Sequence, residues 1–314
     1  MHVAVAGGRS GTIGASIVSA LLAHNHTPII LSRQTSTNPS GSTSISSSPS
    51  GVSTRYVDYD SHDSLVHALH DTTAVISALL IPGPEFVPYQ LNLLRAAEEV
   101  GCARFAPSEF ALPFAAHQAV DIDHAKVAVW DAVKAANIDA ALFPCGMFMN
   151  YLGIGAPRVA EALAGFREGP LMFHLGDPEG APWVEVPLGR DGEVPSLTMT
   201  DIRDVGEFVV AALEMEEPWG GRELGMVGET LKITEVVGLC ERYLGRKVEV
   251  RVVEMVSLEE RLRRLDPGDV LAKMDCQYTM ACGNGDSVVE PVLNALCPEV
   301  RPLGVKGFLE KFWM

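Results

Sequence analysis

Val3-Ala4-Val5-Ala6-Gly7-Gly8-Arg9-Ser10-Gly11-Thr12-Ile13-Gly14 is the stretch on which the fold turns. Four small or β-branched apolar residues run into a cluster of glycines, and Ala15 to Ala23 then carries its apolar residues at helical spacing. Strand, tight turn and helix in that order open a doubly wound α/β domain. Each glycine answers a separate requirement. Gly8 takes the chain out of the strand in a backbone geometry that costs other residues free energy. Gly11 lets the backbone approach a pyrophosphate, and Gly14 lets the helix pack closely on the sheet. The helix start then offers unpaired N–H groups and a partial positive charge to phosphates. Gly8, Arg9, Ser10, Gly11, Thr12, Ile13 and Gly14 are therefore the expected phosphate cradle. A glycine-rich turn that binds nothing is the alternative, and the flanking strand and helix argue against it.

The rest of the composition bounds what such a domain does. The chain has 314 residues, 47% hydrophobic and 20% charged, which is enough for a substantial core and a second domain. We expect 1–150 to be the cofactor-binding domain and 151–314 mostly a smaller substrate-binding subdomain, some of whose segments return to the sheet. No run reaches the roughly 18 apolar residues of a membrane span, and the N-terminus lacks the basic region of a secretory signal. Six scattered cysteines, with no C-x-x-C and no histidine at ligand spacing, fit reduced thiols in the cytoplasm and no metal site. A formal net charge of −16 argues against nucleic acid or an anionic membrane as partner. Any phosphorylated cofactor then needs locally placed arginines.

The next strand supplies them. Pro28-Ile29-Ile30-Leu31 is a continuous apolar run of the buried parallel kind, and it ends in Ser32-Arg33. About 20 residues after the glycines, an NAD enzyme usually carries an acid for the ribose 2′-hydroxyl. Here Arg33 instead offers a charge-assisted pairing with a 2′-phosphate, with Ser32 beside it, so NADP(H) is the expected cofactor. Arg9 adds a second cation or is a solvated loop residue; both readings stand. Gln34 to Thr54 is uncharged and rich in serine, the composition of a flexible surface insertion, 34–54. Thr54 to Asp58 reads as a third strand, with Asp58 placed for an adenine amine. Ala74 to Leu79 is a fourth, whose end at Ala78 and Leu79 faces the cofactor edge before the Pro82-Gly83-Pro84 loop. Val87 to Val100 forms a helix, closed by Gly101.

Arg104-Phe105-Ala106-Pro107-Ser108-Glu109-Phe110 follows, then a lysine on the next helix, then the strand Ala140 to Pro144 with Cys145-Gly146-Met147-Phe148 behind it. With the looser glycine spacing and Asp201-Ile202-Arg203-Asp204-Val205-Gly206, this order resembles the isoflavone-reductase-like and NmrA-like atypical short-chain dehydrogenase/reductases over most of the chain. Ala111 stands where that family usually has a glycine after Pro-Ser-Glu-Phe. The resemblance implies a Rossmann-type sheet, NADP(H), and a proton-handling lysine at Lys126 near nicotinamide and substrate. It also implies cofactor contacts from Ser108, Pro144 and Phe148, and substrate contacts from Glu109, Phe110, Phe148, Met149 and Tyr151. Loop-structural roles for Ser108 and Glu109 remain open beside these.

The placing of Lys126 rests on angles as well. At roughly 100° per residue from Ile122, Val129, Val133 and Ala136 fall within roughly 40°, while Asp123, His124, Asp131 and Lys134 fall at roughly 100–200°. Lys126 falls at roughly 40°, inside the apolar stripe. Its ammonium is either functional there or snorkels to water on a packed stem. Desolvation lowers a lysine's pKa toward the range of a general acid or base. Ile122 stands where ordinary short-chain dehydrogenases place the tyrosine of Tyr-x-x-x-Lys, so Lys126, a water it orients, or the substrate must supply the proton. Further along, Asp201 to Glu216, Gly221 to Val253 and a charged helix Ser257 to Lys273 complete the chain.

Three functions fit this reading. The first is an NADPH-dependent reductase of a small hydrophobic carbonyl or conjugated alkene, aromatic or terpenoid-like, in natural-product metabolism. The second is an NADP-sensing regulator without turnover, and the third is non-redox cyclisation or isomerisation in the same cavity. Either a monomer or a homodimer is compatible with the sequence.

Overall fold

The structure, a computed structural model, describes all of the chain except residues 10–11, 34–45, 48–51, 167–170 and 177–179, and the side chains of 46–47. Two compact units emerge. The first comprises Met1–Phe110, Ala125–Phe143 and Val205–Leu224; the second comprises Ala111–His124, Pro144–Asp204 and Gly225–Met314.

In the first unit seven strands lie parallel: β1 (His2–Ala6), β2 (Thr27–Arg33), β3 (Ser53–Val57), β4 (Ala74–Ser77), β5 (Arg104–Ala106), β6 (Asp139–Leu142) and β7 (Arg222–Glu223). Their order is β3-β2-β1-β4-β5-β6-β7, so the sheet is a Rossmann-type doubly wound one, with the chain reversing direction of growth between β1 and β4. Continuous apolar runs are what such strands require, since helices cover both faces. Val3 to Ala6 and Ala74 to Ile76 are accordingly sealed from solvent. A two-residue strand at Ser46–Ser47 lies antiparallel to β3. Ser53 and Thr54 thus belong to the sheet, while residues 34–45 and 48–51 of the expected insertion lie outside the described residues.

The helices are α1 (Ile13–Ala23), α2 (His62–Leu69), α3 (Phe86–Glu99), α4 (His124–Ala135) and α5 (Ile202–Glu214). Thr12 and Ser61 cap α1 and α2 through their hydroxyls, which accept from Ala15 and Ser64 N–H groups. Gly206 lets α5 approach α1, because a Cβ there would meet the Ser16 carbonyl oxygen at 2.5 Å.

The second unit holds two three-stranded sheets among its described residues. One pairs Met147–Phe148, Ser196–Thr200 and Glu229–Lys232; the other pairs Phe173–His174, Trp183–Pro187 and Glu249–Val253. The charged helix expected over Ser257 to Lys273 is two helices, Met255–Arg264 and Val270–Gly283. Pro267 cannot continue a helix, and Asp269 starts the next one by accepting the Ala272 N–H at 3.0 Å. All six cysteines are buried, and none of them forms a disulfide. Among the described residues no helix is long and apolar enough to cross a membrane.

Candidate active site

Building from β1, the left-handed residue is Gly7, at φ +82°, and not Gly8 as the spacing led us to expect. The chain must turn there while passing against β4: a Cβ on Gly7 would collide with the Ala78 carbonyl, and Ala78 N–H donates to Ala6 O at 2.8 Å. Gly8 is instead a packing position facing Val5, Val18 and Ile30. Gly14 closes the loop from the helix side, where a Cβ would lie 2.5 Å from Gly7 O. The Thr12 hydroxyl sits 2.7 Å from both the Gly7 and Arg9 carbonyl oxygens. Ile13 begins α1, whose first turn carries no acid, leaving the positive end of the helix uncompensated. Ser10 and Gly11 lie outside the described residues.

At the end of β2, Ser32 is buried and accepts a hydrogen bond from Arg9 Nη2 at 2.5 Å. This contact joins the glycine loop to the second strand, so Arg9 is not merely solvated. Arg33 is exposed beside Tyr59 and Tyr89, whose rings stack at 5.4 Å. Burial pushes the Tyr59 phenol well above its ordinary range, and the Arg33 charge pulls back against that. Asp58, exposed, accepts from Asp60 N–H at 3.0 Å and so shapes its own turn.

The loop after β5 is pinned to β4. Ser108 Oγ donates to Leu79 O at 2.8 Å, and Ser108 N–H donates to Gln90 Oε1 at 3.3 Å. Gln90 Nε2 in turn donates to Ser77 Oγ at 2.8 Å, with both side chains buried. Sequence reasoning missed Gln90, yet it sits among Phe86, Leu93, Leu94 and Ala97 on the buried face of α3, the same irregularity that exposed Lys126. Glu109 follows on this loop, and its Oε1 lies 3.7 Å from Lys126 Nζ. The two side chains are 3% and 17% exposed. Lys126 thus lies on the buried side of α4 with Val129, Trp130 and Val133. Phe110 is buried and stacked on Phe143 at 6.2 Å, a core contact.

Asp123 departs from its expected solvated place: it is buried and accepts from Tyr278 Oη at 3.0 Å. Residues 121–123 form a 3-10 turn, which breaks the α-helical phase, and the helix Val270–Gly283 packs over them. Asp121 pairs with Lys273, and that pairing holds its carboxyl below the usual range. His124 is exposed as expected.

Four expected residues belong to the second unit. The Pro144 carbonyl accepts from Met226 N–H at 3.0 Å. Phe148 is half-buried, and with Tyr151 it packs edge-on against Phe166, centroids 5.5 and 4.8 Å apart. Met149 is fully buried. Between them Asn150, which the sequence did not single out, donates to Ala162 O at 2.8 Å and accepts from Ile202 N–H at 2.9 Å.

The model of the NmrA-like family matches residues 1–290 of this chain. The chain is 33% identical over 252 residues to Oxidoreductase BOA1 of Botryotinia fuckeliana (strain B05.10), covering 79% of this chain and 77% of that one. The crystal structure of isoflavone reductase superposes with a TM-score of 0.76 at 20% identity, covering 99% and 98% of the two chains. The binary complex of leucoanthocyanidin reductase with NADPH from Vitis vinifera gives a TM-score of 0.69 at 19% identity, covering 99% of each.

Proposed function

The chain belongs to the NmrA-like family, and on that premise we propose that it is an NADPH-dependent reductase of a small hydrophobic aromatic or terpenoid-like carbonyl or conjugated alkene. The observation that carries this reading is the Lys126–Glu109 ion pair, an ammonium drawn to the buried face of a helix in the same unit as the glycine loop. A protein that only sensed the cofactor has no need of it there. Relatives named as an oxidoreductase, an isoflavone reductase and an NADPH complex of leucoanthocyanidin reductase support the same class.

The residues fit NADP(H). Gly7 and Gly14 leave backbone space that any Cβ would fill, and the start of α1 is free of acids. Arg9, fixed on Ser32, and Arg33 place two cations at the ends of β1 and β2, suited to a 2′-phosphate in an otherwise acidic protein. Ala78, Leu79 and Ser108 border the same edge of the sheet. When bound, the cofactor supplies the hydride. Lys126 Nζ holds the proton that a reduced carbonyl oxygen needs, since Ile122 removes the usual tyrosine. Six buried thiols fit a cytoplasmic setting.

NADPH oxidation against a panel of aromatic carbonyls and enones tests the proposal. Turnover with at least one class is expected. Tight NADPH binding with no turnover across the panel would overturn it in favour of a sensor or of non-redox chemistry.

A further inference from the structure

We infer that Glu109 is the positioning residue of Lys126: it fixes the ammonium in place, so that Lys126 acts as a proton donor. This rests on the reductase reading above. Lysine carries its charge on a flexible four-carbon stem, and an unanchored ammonium would sample many positions. Glu109 supplies a fixed point because the backbone before it is tied down, through Ser108 to Leu79 O and through Gln90 to Ser77. A carboxylate only 3% exposed is costly to bury unless a cation faces it, and Lys126 Nζ lies 3.7 Å from its Oε1. An ammonium has three donors, so its pairing with one carboxylate does not exhaust it.

In the step this supports, the acceptor carbon would take the hydride that bound NADPH supplies, and the carbonyl π-pair would move to oxygen. The Lys126 N–H bond breaks, an O–H bond forms, and the neutral amine is reprotonated from water. Glu109 touches neither cofactor nor substrate in this scheme and works through Lys126.

The test compares wild type, Glu109→Gln, Lys126→Met and the double variant, by NADPH turnover and by urea unfolding. Glu109→Gln should lower kcat by tenfold or more while leaving NADPH affinity unchanged. In the Lys126→Met background it should cause no further loss, because its target is gone. Losses that multiply, or a Glu109→Gln enzyme with the wild-type rate, would overturn the inference. If wild type fails to oxidise NADPH, the reductase reading is what has failed, and unfolding then decides the pair. Each single variant leaves one buried charge and should lower the urea midpoint, while the double variant recovers part of that loss. Midpoint losses that simply add would show that Glu109 does not hold Lys126.

Discussion

At the scale of single residues, the seat we propose for cofactor choice is the cation pair at the ends of β1 and β2. Arg33 was legible because a basic residue closes an apolar strand where an acid is usual. The anchoring of Arg9 on Ser32 was not, since nothing in sequence spacing says which way a loop arginine folds back. Arg33→Ala should weaken NADPH binding by about 1–3 kcal/mol, the scale of a lost charge-assisted hydrogen bond, with little effect on NADH. Arg9→Ala should do the same, measured by cofactor titration. Equal losses for both cofactors would place the 2′-phosphate elsewhere. Gly7 illustrates a different limit. Either of two adjacent glycines satisfies the motif, and only the passing Ala78 carbonyl decides that Gly7 takes the left-handed turn.

At the scale of elements, β1, β2, β4 and β6 were readable from continuous apolar runs, and α4 from its angular pattern. The helix pair Met255–Arg264 and Val270–Gly283 was read as one, because its charges are periodic across Pro267. The second of these helices carries a strained carboxylate. Burial, reinforced by Glu185 and opposed by Arg261, raises the Asp275 pKa to about 6, from 3.8. The folded state therefore binds the proton more tightly than the unfolded chain. Stability is fullest below pH 4 in this respect, falls as the pH rises from 4 through 6, and stays lowered above that. Asp275→Asn should remove the fall. It should stabilise the protein at pH 7.5 by about 1–2 kcal/mol, allowing for partial solvent screening, and by nearly nothing at pH 4. Urea midpoints at the two pH values measure this, and an equal gain at both would assign the effect to packing.

At the scale of the whole molecule, the sequence sets no strand order, and it leaves β7 without a place in the sheet. Arg222–Glu223 is two exposed residues with no strand pattern of its own. It is placed by a clamp that only the folded first unit creates. Arg104, on β5, donates to the Ala212, Leu213, Met215 and Glu217 carbonyls at 2.7–3.1 Å, gathering the end of α5. Asp139, on β6, accepts from Trp219 and Gly220 N–H at 2.9 and 2.8 Å. Arg104→Met should cost about 3–5 kcal/mol, the scale of breaking a buried charged network, read from urea unfolding. A loss under 1 kcal/mol would show that β7 holds without the clamp. The aromatic cluster of Phe148, Tyr151 and Phe166 was likewise only half visible, since Phe166 belongs to no motif.

The central claim is that Lys126 supplies charge and a proton to a reduction driven by NADPH. Steady-state turnover of Lys126→Met, on whichever aromatic carbonyl or enone wild type reduces, measures it most directly when paired with NADPH titration. The methionine keeps much of the packing of the stem and removes the ammonium. The expected result is a fall in kcat of about 10²–10⁴ with NADPH affinity nearly unchanged, alongside the lowered urea midpoint that an unpaired Glu109 brings. An unchanged rate would make Lys126 a snorkelling core residue, and parallel losses of rate and NADPH affinity would make it a cofactor anchor; either result contradicts the claim.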